Sequence, residues 1–373
     1  MDDLQFEGFP DDREPKAKKK KKKKKGVNVP VILITLIALT AIAASVVLVM
    51  HLMRVSEERD ALARELAVEH YSAEEMQQAV TEARERAGEE GRESVLTYFE
   101  DQMSSGARGP VDTLRSLRPD TIILYYRNRY IFQPVDETLV RNNYTEDSFT
   151  IDEETGRLEY TGDDPDVRTH FGIDVSAFQG EIDWAQVAAD GVEFVFLRAG
   201  FRGWGTQGSY NTDQYFEQNI TGAYEAGLRV GVYWVTHAIS EQEAREECDY
   251  FLELIEPYRE MITLPVVWDL EQPEGADNRI WDVPAAELTD YALLFCERMK
   301  LEGFTPMIYA NLTSMVTMLE PARIQDYPLW YAWYSVPLYY PYTFQIWQYG
   351  TDGNIAGIRG EVDVNLMVTE ELW

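Results

Sequence analysis

Lysine is almost missing from this 373-residue chain outside one short stretch: Lys16 and the unbroken run Lys18 to Lys25 account for every lysine but Lys300. Cysteine is scarcer still. Cys248 and Cys296 lie far apart and in no CxxC, which excludes a disulfide-dense scaffold and a cysteine-based zinc site. They read as buried thiols, although neighbouring helices could bring their Cα atoms within the roughly 7 Å that a disulfide requires. The four histidines, His51, His70, His170 and His237, show no metal-ligand spacing, and no G-x-S-x-G element is present. Neither metal-assisted hydrolysis nor serine-triad chemistry has a signature here, and no metal or cofactor is expected.

Basic residues as a whole are outnumbered. The chain has 34 Lys and Arg against 65 Asp and Glu, and the first 26 residues hold ten of the former and six of the latter, leaving 24 against 59. An acidic remainder of that kind does not bind nucleic acid unaided. The lysine run alone could be read as a nuclear-localisation or nucleic-acid patch. It directly precedes an uncharged stretch, however, so anionic lipid headgroups are its expected partner. With 45% hydrophobic and 12% aromatic residues, the chain can bury a substantial core, which excludes a wholly disordered protein.

From Val29 to Met50 no residue is charged, and about 20 such residues suffice for a membrane-spanning helix. The positive-inside bias then places residues 1–26 as a basic cytoplasmic tail, residues 27–53 as the span, and everything beyond on the other side. Ala41-Ile42-Ala43 offers a signal-peptide cleavage site as the rival, but the apolar run continues past it to Met50. Residues 54–105, rich in Glu, Arg and Ala and free of proline, carry Leu62, Leu66, Met76, Val80, Ala83 and Ala87 at helical spacings and predict a helical stalk. Glu69 breaks that stripe, and Gly88 and Gly91 weaken it, so a stalk is a better reading than a coiled coil. Residues 106–166 hold short β-prone pieces, TIILYYRNRYIF and GRLEYTG, too small for a core of their own. They read as a β-rich linker module packed on the C-terminal domain.

Residues 167–373 alternate strand-like runs with amphipathic stretches: FGIDVS, FVFLRAG, RVGVYWV, LPVVWDLE, TPMIYA, LWYAWY, FQIWQY and GEVDVNLM. Eight strands with intervening helices predict an α/β fold, an irregular TIM-like (β/α) barrel. Helices are expected after the first five strands only, including Gln214 to Ala226, Glu241 to Ile255 and Ala285 to Leu301. The last connections are too short for them.

Four acids fall at or near the C-terminal ends of these strands, the rim that carries chemistry in such barrels: Asp174, Asp269, Glu271 and Asp363. Asp269 and Glu271, two apart on a strand, share a face with backbone positions about 6 to 7 Å apart. Crowded carboxyls cannot all ionise, so one keeps a proton near neutral pH while a neighbour stays anionic, the equipment of a glycosidase. A D-x-E alone says little in a chain with 65 acids, where exposed strand ends are the plainer explanation. Aromatic residues near the same rim, Tyr233, Trp268, Tyr309, Trp333, Tyr334 and Trp347, are candidates for stacking on sugar rings, with about half expected in the core. The loop Gly203 to Gly208 is a formal GxGxxG, but it comes after a second barrel strand rather than opening a dinucleotide fold.

The combination resembles glycoside hydrolase family 25, the Chalaropsis-type lysozymes, over about residues 171 to 367. The resemblance rests on Asp174-Val175-Ser176 with Gln179-Gly180 and Ile182-Asp183-Trp184, then Phe216, Asn219, Ala226-Gly227, Gly231-Val232-Tyr233, Asp269-Leu270-Glu271, Trp347-Gln348-Tyr349 and Asp363-Val364-Asn365. It implies an eight-stranded barrel with fewer than eight helices, and hydrolysis of the β-1,4 bond between N-acetylmuramic acid and N-acetylglucosamine in peptidoglycan. Glu271 matches the family's general acid, and Asp269 would orient the substrate N-acetyl group in a substrate-assisted, retaining route. Asp174 and Asp363 match the remaining acids of the pocket. Tyr233, Tyr309, Trp333, Tyr334 and Trp347 are the expected substrate contacts. Arg198-Ala199-Gly200-Phe201-Arg202 departs from a lysine-containing stretch common in the family, which puts contacts at that edge in doubt. The resulting expectation is a single-pass protein of a bacterial cell membrane with an extracytoplasmic muramidase acting on glycan strands. The alternative is a catalytically silent, membrane-tethered glycan-binding or scaffold protein.

Overall fold

The computed structural model describes residues 40, 42, 44–60, 69–71, 77, 88–106, 108–272 and 278–369. The chain divides into two compact units, Met1–Leu66 and Ala67–Trp373. In the first, residues 44–60 are helical. Most of the expected membrane span, 27–53, lies outside the described residues, and among the described residues no helix is long and apolar enough to cross a membrane.

The second unit opens with strand β1 (Glu69–Tyr71), the helices Gly88–Ser105 and Pro110–Leu117, and strands β2 (Thr121–Tyr126), β3 (Arg129–Pro134), β4 (Phe149–Ile151) and β5 (Leu158–Tyr160). The expected continuous helix over 54–105 is therefore corrected at β1, which pairs antiparallel with β3 while β2 pairs along β3's other side. A backbone ladder on an otherwise open strand edge outweighs local helical spacing, and the partner lies some sixty residues away in sequence, where no periodicity reveals it. Between β2 and β3, Arg127 and Asn128 both take positive φ, 49° and 59°. That is what a two-residue hairpin loop needs to follow the twist of its strands.

The barrel comprises β6 (His170–Val175), β7 (Phe194–Arg202), β9 (Arg229–Val235), β10 (Val266–Leu270), β11 (Pro306–Asn311), β12 (Leu329–Ala332), β13 (Ile346–Gly353) and β14 (Val362–Met367). Strand β8 (Tyr210–Thr212) adds a short antiparallel extension to β7 outside the ring. Pairing runs in parallel from β6 through β7, β9, β10, β11 and β12 to β13, and β14 then closes the ring antiparallel to both β13 and β6. The link from β13 to β14 is too short for the crossover that a parallel strand demands. Helices succeed the first five barrel strands: Trp184–Ala189, Phe216–Glu225, Glu241–Ile255, Ala285–Leu301, and the pair Leu312–Thr317 and Pro321–Ile324. Local caps start several of them, with Asp183, Ser240 and Asn311 each accepting a backbone N–H of its own first turn. Among the described residues no helix joins β12 to β13 or β13 to β14.

The pleat sorts the core into two layers. One set fills the barrel lumen: Phe194, Phe196, Val267, Met307, Trp330, Ile346 and Met367 among others. Intervening residues such as Ile173, Val195, Trp268 and Leu366 face the surrounding helices. Gly172 and Gly231 admit the two lumen phenylalanines, because a Cβ would stand 2.4 Å from Phe194 and 2.2 Å from Phe196. Ile122, Leu124, Ile131, Phe149 and Leu158 of the β-rich module belong to the same continuous outer layer as the barrel. Apart from a small cluster of Leu114, Ile123 and Phe132 on the other face of the β2–β3 sheet, the module has no core of its own among the described residues. It shares the barrel's, and the compact unit runs through the expected boundary at 166/167.

Candidate active site

The plugged lumen ends at the C-terminal rim in a polar mouth. Along β6 the alternation that turns Ile173 and Val175 outward turns Asp174 inward, and it is 5% exposed. Asp363 stands opposite Asp174 in the β14–β6 register, and the two carboxyls share a hydrogen bond. Asp174 Oδ1 also accepts from Gln348 Nε2 at 2.8 Å and from Asn365 Nδ2 at 2.7 Å. Gln348 is held in turn by the hydroxyls of Tyr309 and Tyr334, which donate to its Oε1 at 2.7 and 2.8 Å. Trp330 Nε1 donates to Asn365 Oδ1 at 2.8 Å, which connects the mouth to the lumen plug beneath. A network satisfied at so many points has one arrangement.

Asp269 and Glu271 come from β10 and the residue beyond its end. Asp269 is 3% exposed, and its Oδ1 is buried without a hydrogen-bond partner among the described residues. Glu271 reaches solvent at the mouth, although protein surrounds its carboxyl closely enough for burial to dominate its chemistry. The four acids repel one another. Burial first, then Glu271 and Asp174, raise Asp269 well above the ordinary carboxyl range. Burial and then Asp174 raise Glu271. Burial raises Asp174 to about 6 against the hydrogen bonds that favour its charged form, and Asp363, raised by burial, Asp174 and Glu271, reaches about 9. The cation opposing this at Asp269 and Glu271 is Arg198, whose guanidinium is itself pinned to Asp213 at 2.9 Å. A mouth with four carboxyls and one guanidinium keeps protons at neutral pH, and so it holds both an acid and a base. Among the described residues no group of three or more His, Cys, Asp or Glu side chains is arranged to hold a metal ion.

The structure brings Glu271, Asp269, Asp174, Asp363, Tyr233, Tyr309 and Tyr334 to this mouth. The charges of Asp174, Asp269 and Glu271 act on Tyr233, and Tyr334 is half exposed at the rim. Trp347 is a correction. It neighbours the mouth residue Gln348 in sequence and therefore points the other way, wholly buried, edge-on to Phe149 of the β-rich module at 5.3 Å and donating to Trp333 O at 2.7 Å. Trp268 is buried in the same outer layer. Trp333 is partly exposed but turned toward the module, with Arg115 lying 4.9 Å from its ring centroid. Sequence reasoning assigned no role to Gln348, Asn365, Arg198 or Asp213. The first three lie within barrel-strand segments, and the available signal was a polar side chain on the lumen phase of such a strand.

Other residues of the family pattern build the scaffold. Ser176 and Gln179 form a capping box that sets the turn after β6, with Ser176 Oγ accepting from Phe178 N and Gln179 Oε1 from Ser176 N. Asp183 caps the helix that buries Trp184.

Eight strands closed around a plugged lumen, with a crowded carboxyl mouth at the C-terminal rim, define the general class of a (β/α) barrel with an acid-lined site. The profile of Glycosyl hydrolases family 25 matches residues 173–358. Lysozyme M1 of Streptomyces globisporus is 29% identical over 204 residues, covering 52% of this chain and 66% of its own length. The uncharacterized protein YegX of Escherichia coli (strain K12) is 30% identical over 215 residues, covering 55% of this chain and 72% of its own. The crystal structure of the bacterial lysozyme from Streptomyces coelicolor aligns at 27% identity and a TM-score of 0.45, covering 52% of this chain and 90% of that one. This chain belongs to glycosyl hydrolase family 25.

Proposed function

We propose that the chain is a lysozyme-type muramidase that hydrolyses the β-1,4 bond between N-acetylmuramic acid and N-acetylglucosamine of peptidoglycan. The observation that carries this reading is Asp269 Oδ1, a buried acceptor with no hydrogen-bond partner among the described residues, beside a solvent-reached Glu271 in a mouth that retains protons. A buried unsatisfied acceptor is costly, and a substrate amide N–H would satisfy it. Family membership and the similarity to Lysozyme M1 support the substrate class.

In the reaction as we read it, Glu271 delivers its proton to the glycosidic oxygen as the C1–O bond breaks. The carbonyl oxygen of the substrate's own 2-acetamido group bonds to C1 from the opposite face, and Asp269 accepts the acetamido N–H, which favours the ionised form of Asp269 and balances the positive charge that develops. Water then gives a proton to the Glu271 carboxylate and attacks C1, reopening the ring with retained configuration. Asp174 and Asp363 sit behind this pair and hold the Gln348, Tyr309 and Tyr334 wall in place. Tyr233, Tyr309 and Tyr334 are the expected contacts to the sugar.

The test is digestion of purified peptidoglycan by the full chain beside Glu271→Gln, with mass spectrometry of the reducing ends. Muropeptides ending in reducing N-acetylmuramic acid from the wild type, reduced at least ~10²-fold in the variant, are expected from loss of a general acid. Tight binding with no cleavage by the wild type would instead favour the scaffold alternative.

We further propose that residues 27–53 anchor the chain in a bacterial cell membrane with the lysine run inside and the barrel outside. The uncharged run Val29 to Met50 behind Lys18 to Lys25 supports it. Release from membranes by detergent but not by high salt is the expected behaviour, and release by salt alone would refute the span.

A further inference from the structure

Glu271 makes no side-chain hydrogen bond among the described residues, so its aim is set by its own backbone. That backbone is held from outside the barrel. The next residue, Gln272, turns its side chain away from the lumen, where its Oε1 accepts from the Tyr126 hydroxyl at 2.7 Å and its Nε2 lies 2.7 Å from Met318 Sδ. At the far end of the same loop, the Arg127 guanidinium lies 4.5 Å from the centroid of the Trp281 ring. Tyr126 and Arg127 are consecutive residues at the tip of the β2–β3 hairpin, and the positive φ of Arg127 and Asn128 gives that tip its tight reversal. The body of the hairpin is fixed in the shared core through Ile122, Leu124 and Ile131, so the tip is a rigid arm.

The same arm braces the rim at a second place. Ile123 N donates to the Tyr339 hydroxyl at 2.7 Å, and that hydroxyl donates to Thr121 O at 3.1 Å, which ties β2 to the segment between β12 and β13 that carries Tyr334.

The geometry points to Tyr126 and Arg127 as a positioning clamp that holds both ends of the loop after β10 and thereby aims the Glu271 carboxyl at the scissile bond. This assignment rests on the proposed muramidase reading for the role of Glu271. The clamp lies outside residues 173–358, the region matched by the family profile, so it is supplied by the segment preceding the family domain. Proton delivery needs hydrogen-bond reach, and an error of about 1 Å from a remote change can cost as much as ~10²-fold in rate. A lost clamp therefore acts on the chemical step, while the tyrosines that contact substrate stay in place.

The experiment compares the full chain with Tyr126→Phe, Arg127→Ala and the double variant. It measures kcat and KM on peptidoglycan, the pH dependence of kcat, thermal stability, and hydrogen–deuterium exchange of the amides of residues 266–272 and 278–284. The double variant is expected to lose about tenfold in kcat with KM within about twofold, to shift the basic limb of the kcat profile, and to exchange faster in 278–284. Wild-type kcat, pH profile and exchange in the double variant would overturn the clamp. If the double variant does not fold, Tyr126→Phe removes a single hydroxyl and is read by the same quantities. If the wild type shows no muramidase activity, the functional reading falls while exchange still decides: faster exchange in the variants upholds the clamp on the loop, and equal exchange overturns it.

Discussion

Arg198 and Arg202 lie four residues apart on β7, and each meets buried acids, yet their surroundings are in opposite electrostatic states. Arg202 is saturated. Its Nε donates to Glu247 Oε1 at 2.6 Å, one Nη to Gly208 O at 3.0 Å, and the other to the Tyr210 hydroxyl at 2.9 Å and Glu243 O at 3.1 Å. Glu247 accepts a further bond from Thr236 Oγ1 at 2.7 Å, and Arg279 donates to Glu243 at 2.7 Å nearby. Burial pushes Glu247 up while Thr236 and Arg202 oppose it, and burial's pull on Arg202 is outweighed first by Glu247, so the bonded geometry holds as an ion pair. Arg198 instead spends its hydrogen bonds on Asp213 and faces Asp269 and Glu271 only through space. Paired charges fix the shape of the barrel wall, whereas unmatched acids at the mouth keep protons that can be transferred. Perturbed carboxyls mark function where partners are withheld, and structure where they are supplied.

The sharpest way to break this contrast is to remove Glu247. Glu247→Ala strands a buried guanidinium and is expected to lower stability by about 3–5 kcal/mol in urea unfolding. A loss below about 1 kcal/mol would show that the pair does not hold the wall. Glu271→Gln should do the reverse, abolishing most activity while leaving unfolding unchanged or slightly improved, because it replaces a buried ionisable group among repelling carboxyls with a neutral one of the same shape. A large stability loss in that variant would mean that the mouth, too, is a structural ion network.

Smaller, and more diagnostic of the mouth, is the pH dependence carried by Asp363. Its folded pKa is raised from 3.8 to about 9, by burial first and then by Asp174 and Glu271. The folded protein therefore holds this proton more tightly than the unfolded chain does. The stabilising contribution is complete below the unfolded value and is lost as pH rises through the folded one. Thermal stability of the wild type should fall between about pH 5 and pH 9, and Asp363→Asn should flatten that slope. An identical slope in the variant would sink the assignment of the proton to this pair.

Much of the fold was legible in the chain. The eight barrel strands, the helices Glu241–Ile255 and Ala285–Leu301, and the absence of helices near the end all come from period-two runs and connection lengths. Asp174, Asp269, Glu271 and Asp363 could be placed together because strand ends share one rim. Trp347 was misplaced because an aromatic residue beside a mouth residue looks like a mouth residue until the pleat assigns its face. Strand β1 was read as helix, since its pairing with β3 is set by a distant edge. Tyr126 and Arg127 were no more than part of a β-prone piece, because their contacts are with Gln272 and Trp281, about 150 residues on.

By itself, then, the sequence determined the kind of barrel and the supply of acids at its rim, because strand periodicity, caps and connection lengths are local and act wherever the chain goes. Only the tertiary structure decided which face each strand turns inward, that Asp363 meets Asp174 while Asp213 claims Arg198, and that a hairpin from outside the barrel reaches the loop behind Glu271. Those outcomes depend on ring closure and on a shared core, where the energy of a side chain is set by neighbours that the chain brings together only when it folds.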